Sequence, residues 1–204
     1  SFQIVFSYVL ALIRPVLRGL FLSRTILNNI SYLILSFDTE VQIPYIHKMR
    51  LGIIGCGKMG SALVKGAIKE GAITGDSVSV FDVIDSASNK LGNEIGATVT
   101  SSHDDLINKS EVVLLCVKPQ DTLKMIGTLQ APDQSKLFIS IAAGLQLLDL
   151  EKSLGERARV IRVMPNTPAL IGKGASAFSR GTRATDDDAN FVTNILGSVG
   201  KVLE

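Results

Sequence analysis

From residue 49 onward the sequence predicts an α/β fold built on a doubly wound, mostly parallel sheet. Three observations carry this. Short apolar runs alternate with helical patterns along the chain, as crossover-connected parallel strands require. The run Glu111 to Val117 is almost continuously apolar, as expected of a strand buried on both faces. A glycine-rich turn also stands directly between the first strand and the first helix.

Taken in order, the first strand follows Met49 and runs into Gly55. Ser61 to Glu70 reads as a helix whose Leu63, Val64, Ala67 and Ile68 make one apolar face, stopped by Gly71. Ser77 to Phe81 is a second strand, followed by a helix over Ser86 to Ile95, a short strand over Ala97 to Thr100 and a helical piece over Asp104 to Lys109. After the run at 111–117, Pro119 opens a helix, since proline suits the first helical position. Lys136 to Ile141 and Ala158 to Val163 are further strands flanking a short helix near Leu147 to Leu154. The last third supplies a strand (Ser176 to Arg180), a helix (Asp186 to Ser198) and an edge strand (Lys201 to Leu203), with exposed apolar surface expected near Val199 to Leu203. No repeats or low-complexity tracts interrupt the pattern.

The turn reads Gly55-Cys56-Gly57-Lys58-Met59-Gly60, the glycine fingerprint of a Rossmann-type dinucleotide site. Gly55 permits a tight turn, Gly57 lets backbone approach a pyrophosphate, and Gly60 lets the helix pack closely on the strand. The phosphates would then face the positive end of the helix. Asp82, at the tip of the second strand, is placed to accept hydrogen bonds from the adenosine ribose, which favours NADH over NADPH; the alternative is a turn or cap residue. Ligands bind outside the carboxyl ends of strands in such sheets, so Val117-Lys118-Pro119, Ala142-Ala143-Gly144 and Met164-Pro165-Asn166 should line the remaining site. Ala142 to Gly144 are small enough for a flat ring to approach, or else make a packing contact and a turn. Lys118 either sets charge near a ribose or reaches into solvent. Met164 to Asn166 form either a stiff wall with a side-chain amide or an ordinary turn.

Composition narrows the function classes. With 46% apolar residues in 204, the chain buries one good-sized core. Its net charge of +2 comes from the first 48 residues, so the remainder is neutral; with no Trp and no basic run, no nucleic-acid surface is expected. Cys56 and Cys116 cannot form a disulfide framework and fit a reduced, cytoplasmic compartment. They read as small packing residues or as a redox-sensitive pair. His47 and His103 have no partners at ligand spacing, and no metal is expected.

Residues 1–48 stand apart as an apolar N-terminal extension to the 49–204 nucleotide-binding domain. Two apolar runs of about 13 residues are each too short to span a bilayer, which needs about 20, so no membrane span is expected. The segment is either an organellar transit peptide, carrying Arg and Ser with no acid before Asp38, or an upstream artefact with Met49 as the true start.

The order G-x-G-x-M-G, V-K-P-Q, S-I-A-A-G, R-V-M-P-N-T-P and then Gly172-Lys-Gly-Ala-Ser176 resembles pyrroline-5-carboxylate reductase over residues 49 to 204. The resemblance implies that Gly55 to Gly60 hold the pyrophosphate, that Val117, Lys118 and Pro119 flank the nicotinamide riboside, and that Ala142 to Gly144 with Met164 to Asn166 surround the ring. It also implies NAD(P)H as cofactor, a cyclic imine carboxylate as substrate, and proline biosynthesis as the setting. Members continue into a helical domain that dimerises and binds the substrate carboxylate. The chain is therefore expected to be an inactive fragment of a homo-oligomeric enzyme, with no catalytic residue identified.

Two positions depart from the resemblance. The family often has Asn where Lys58 stands and, in the turn after the third strand, where His103 stands. The alternatives are a related β-hydroxy-acid dehydrogenase, against which Val117-Lys-Pro-Gln120 argues, and a non-catalytic NAD(P)-binding module.

Overall fold

The computed structural model describes residues 49–129, 135–155 and 157–204. The expected extension, 1–48, lies outside the described residues.

Fourteen elements alternate along the described chain: β1 (Leu51–Ile54), α1 (Lys58–Lys69), β2 (Val78–Phe81), α2 (Asp85–Ile95), β3 (Thr98–Val99), α3 (His103–Lys109), β4 (Val112–Leu115), α4 (Pro119–Ile126), β5 (Leu137–Ser140), α5 (Leu147–Leu154), β6 (Arg159–Met164), β7 (Gly174–Arg180), α6 (Asp186–Gly197) and β8 (Gly200–Leu203). Two short 3₁₀ turns, Gly75–Ser77 and Thr167–Ile171, complete the set. One sheet of order β3-β2-β1-β4-β5-β6-β7-β8 holds all the strands. Its first six strands are parallel, β7 runs antiparallel to β6, and β8 is parallel to β7. The fold is the expected doubly wound α/β sheet.

Because successive strand side chains point to opposite faces, each central strand feeds two cores. Leu51, Ile53, Val112, Leu114, Leu137, Ile139, Ile161 and Val163 pack on one side with Leu63, Val64 and Ala67 of α1, Leu91 of α2 and Val192, Ile195 and Leu196 of α6. On the other side, Ile54, Val113, Leu115, Phe138 and Val160 meet Leu106 of α3, Ile126 of α4 and Leu150 and Leu154 of α5. Burial on both faces explains why these strands lack polar alternation.

Several boundaries move. The first helix begins at Lys58, because Gly57 already serves as its N-cap and the glycines join the opening turn. β4 ends at Leu115, although Cys116 N–H still donates to Ile54 O at 2.8 Å, and the chain then bends through Val117. Val199 is buried at 2% exposure, which corrects the expected apolar patch; Leu203, 72% exposed on the edge strand, is the exposed part of it. No helix among the described residues is long and apolar enough to cross a membrane.

The last helix is anchored by a buried charge. Asp188, 2% exposed, completes a capping box with Thr185 and accepts Arg159 Nη1 at 2.6 Å, tying α6 to the start of β6. Asp188→Ala should cost about 3 kcal/mol, near the lower end for breaking a buried pair because Arg159 keeps some solvent. Chemical denaturation measures this, and a loss below about 1 kcal/mol would show the pair to be dispensable.

Candidate functional site

Parallel pairing in register sets the strand ends level. Ile54 lies beside Phe81 and Leu115, Leu115 beside Ser140, and Ser140 beside Arg162. The residues that follow β1, β2, β4, β5 and β6 therefore line one edge of the sheet, and the strand order reverses between β1 and β4. A crevice at such a switch point is where open α/β sheets bind ligands.

The glycine turn at the centre of that edge is fixed by sterics. Gly55 has φ +100°, and a Cβ there would meet Cys116 O at 2.6 Å. A Cβ at Gly60 would meet Gly55 O at 2.5 Å, so the helix presses directly on the turn. Gly57 differs: its backbone is extended, and nothing lies within 4 Å of where its Cβ would be. The glycine there is needed neither for its dihedrals nor for packing against the described residues. It keeps a space clear above the start of α1, whose first turn has neither a side-chain cap nor an acidic residue. Open backbone N–H groups at the positive end of a helix suit an anionic group such as a pyrophosphate. Lys58, exposed, and Met59, half-buried, are the first two residues of that helix.

Asp82 bends back onto this turn. Its Oδ2 accepts Cys56 N–H at 2.7 Å and its Oδ1 accepts Ile84 N–H at 2.9 Å. The ribose and turn readings of Asp82 are thus compatible, since each carboxylate oxygen keeps a lone pair. Cys56 is buried, its thiol lies 3.6 Å from Phe81 O, and its own carbonyl accepts Ser61 Oγ at 3.0 Å. Burial, reinforced by the Asp82 charge, pushes the Cys56 thiol up to about 12. Burial, then Cys56, raises Cys116 as well. Both stay neutral near pH 7, which disfavours attack by either sulfur.

The other strand ends are arranged as follows. Val117 is half-buried, Lys118 is exposed as the N-cap of α4, and Pro119 occupies the first helical position. Thr122 Oγ1 closes that corner on Lys118 O at 3.0 Å. After β5, Ala142 is buried and its N–H meets Ser140 Oγ at 3.3 Å, while Ala143 and Gly144 are exposed. After β6, Met164 is 45% exposed and Pro165 half-buried. Asn166 Oδ1 accepts Ala175 N–H at 2.9 Å, which ties the loop to β7 and leaves its NH₂ as the group with donors to offer a ligand.

Ser61, Val83 and Ile84 at this edge escape a motif reading. Ser61 is an ordinary helix residue in sequence, and only its reach to Cys56 O gives it a role. Val83 and Ile84, 84% and 61% exposed, form an apolar ledge beside Asp82; two branched apolar residues directly after the strand-end acid are the signal that marks them. His103, one of the two departures, stacks edge-on against Phe81 with ring centroids 4.8 Å apart.

Comparison with known proteins places this architecture. A family model described as NADP oxidoreductase, coenzyme F420-dependent, matches residues 50–144. The pyrroline-5-carboxylate reductase of Pisum sativum is 42% identical over 156 residues, covering 74% of this chain and 55% of the relative. That of Methanosarcina acetivorans is 36% identical over 160 residues, covering 78% and 59%. The crystal structure of Plasmodium falciparum pyrroline carboxylate reductase with NADP bound superposes with a TM-score of 0.67 at 28% identity, covering 76% of this chain and 56% of that one. The chain thus spans a little over half the length of the relatives it matches.

Proposed function

We propose, from its similarity to pyrroline-5-carboxylate reductases, that this chain is the nucleotide-binding half of an enzyme reducing 1-pyrroline-5-carboxylate to proline with NAD(P)H. The observation that carries the reading is the clear space at Gly57 over the uncapped start of α1. Such a cradle fits a cofactor pyrophosphate, held by Gly55, Cys56, Gly57, Lys58, Met59 and Gly60. Val117, Lys118 and Pro119 flank the nicotinamide riboside, and Ala142, Ala143, Gly144, Met164, Pro165 and Asn166 surround the ring.

When bound, the reduced cofactor supplies a hydride for the C=N carbon of the cyclic imine. The chain's own contribution is orientation. The small residues after β5 let a flat ring lie close, and Met164 and Pro165 wall its side and exclude water. On this reading the substrate-carboxylate site and the contacts of a homo-oligomer are assigned to residues outside the matched part of the relatives. Asp82 favours NADH, since the 2′-phosphate of NADPH brings negative charge against its carboxylate.

The purified chain is expected to bind NADH and NADPH saturably yet to form little or no proline from pyrroline-5-carboxylate. Fluorescence or calorimetric titration with a coupled proline assay tests both parts. Absence of binding up to millimolar cofactor overturns the nucleotide reading; robust turnover overturns the assignment of the substrate site to the unmatched half.

A further inference from the structure

We propose that Ser61 and Asp82 are positioning residues that grip the two peptides flanking Cys56 and so aim Gly57 N–H into the cofactor space before any cofactor arrives. The inference rests on the cofactor reading above and adds to it the device that presets the turn.

Two hydrogen bonds define the grip. Cys56 N–H donates to Asp82 Oδ2 at 2.7 Å, fixing the peptide that enters the residue. Cys56 O accepts Ser61 Oγ–H at 3.0 Å, fixing the peptide that leaves it. That second peptide also carries Gly57 N–H. A trans peptide is planar, with its C=O and N–H pointing in opposite directions, and no peptide here is cis. Drawing Cys56 O toward Ser61 therefore turns Gly57 N–H the other way. Gly57 N–H has no acceptor among the described residues, and the space at the Gly57 Cβ position is clear.

Without the Ser61 bond this peptide has little else to stop it rotating. Gly57 has no side chain, and its Cβ direction meets nothing within 4 Å. A rotated peptide would present Cys56 O to the phosphates, so binding would first have to turn it back. Presetting the donor removes that cost for any ligand carrying the shared pyrophosphate. Asp82 meets the turn from the β2 side and Ser61 from within α1, so the two act from opposite ends of Cys56. The thiol, 3.6 Å from Phe81 O, is a third tether on the same residue.

Ser61→Ala should weaken NADH and NADPH binding alike, by about three- to tenfold, and leave their ratio unchanged, because one hydrogen bond that orders a shared donor is lost. Ser61→Thr keeps the hydroxyl and should restore affinity. A purely structural serine would instead show itself in the melting temperature, which should stay near that of the unmodified chain, since alanine favours the helix. In the free protein, the Gly57 amide should be sharp in NMR spectra of the unmodified chain and Ser61→Thr, and broadened by exchange in Ser61→Ala. Unchanged affinity in Ser61→Ala, or loss for only one cofactor, overturns the proposal. Should the unmodified chain bind neither cofactor, the cofactor reading falls, and the Gly57 amide of the free protein still decides whether the grip exists.

Discussion

Gly57→Val is expected to raise the dissociation constants for NADH and NADPH by more than about 100-fold while the protein stays folded. The two halves of that expectation have separate causes. Valine fits the free chain, because Gly57 has φ −70° and ψ −174°, open to any residue, and nothing lies within 4 Å of the new Cβ. The folding cost is confined to a poorer N-cap, about 1 kcal/mol, or about 2–4 °C in melting temperature for a domain of this size. The two γ-methyls, however, would stand in the space left for the pyrophosphate, and a displaced phosphate loses the helix N-terminus altogether. Titration beside a thermal melt separates the effects. A change in affinity below about tenfold would mean that the phosphates do not lie over Gly57.

The double substitution Asp82→Ser, Val83→Arg is expected to reverse cofactor preference, moving the NADH to NADPH affinity ratio by about 100-fold, or about 2.7 kcal/mol. Asp82 stands directly at the tip of β2, and Val83 beside it is 84% exposed, so an arginine there is free to reach a 2′-phosphate. At an effective dielectric of about 20, two like charges about 4 Å apart repel by about 4 kcal/mol, enough to account for the shift before arginine adds its attraction. Absolute affinity for both cofactors should fall as well, since Asp82 also holds Cys56 N–H and Ile84 N–H. Dissociation constants for both cofactors decide the matter. If the unmodified chain already prefers NADPH at ordinary salt, the carboxylate serves the turn and does not meet the ribose.

What could be read from residues alone follows physical range. Strands such as Val112–Leu115 are legible because burial on both faces leaves an unbroken apolar run, and α1 because its apolar positions recur at helical spacing. The glycine turn is legible because the backbone approach it permits needs glycine at fixed places. The start of α1 is not, since Gly57 and Gly60 weaken the local helix signal, although Ser61 N–H already donates to Gly57 O at 3.0 Å in the first turn. The 3₁₀ turn Thr167–Ile171 hides within a stretch whose prolines read equally as a loop. Ser61 and the Asn166 link to Ala175 escape sequence reasoning for another reason. A hydrogen bond to a main-chain atom leaves no residue type at its other end to recognise.

The reversal of direction between β6 and β7 divides the site in time. The local contacts of the glycine turn, Gly55 N–H to Phe81 O, Asp82 and the close approach of Cys116, all lie within residues 55–116. The wall at Met164 to Asn166 instead waits for β7, which must return against β6, and β7 is backed by α6 and by β8 near residue 200. At a synthesis rate of ~5–20 residues per second, the residues that make the contacts of the glycine turn are joined several seconds before those of β7, α6 and β8. The two halves of this edge are nonetheless joined through α1, whose Leu63, Val64 and Ala67 share one core with Val192, Ile195 and Leu196 of α6, so the early contacts are backed by the last helix to be made.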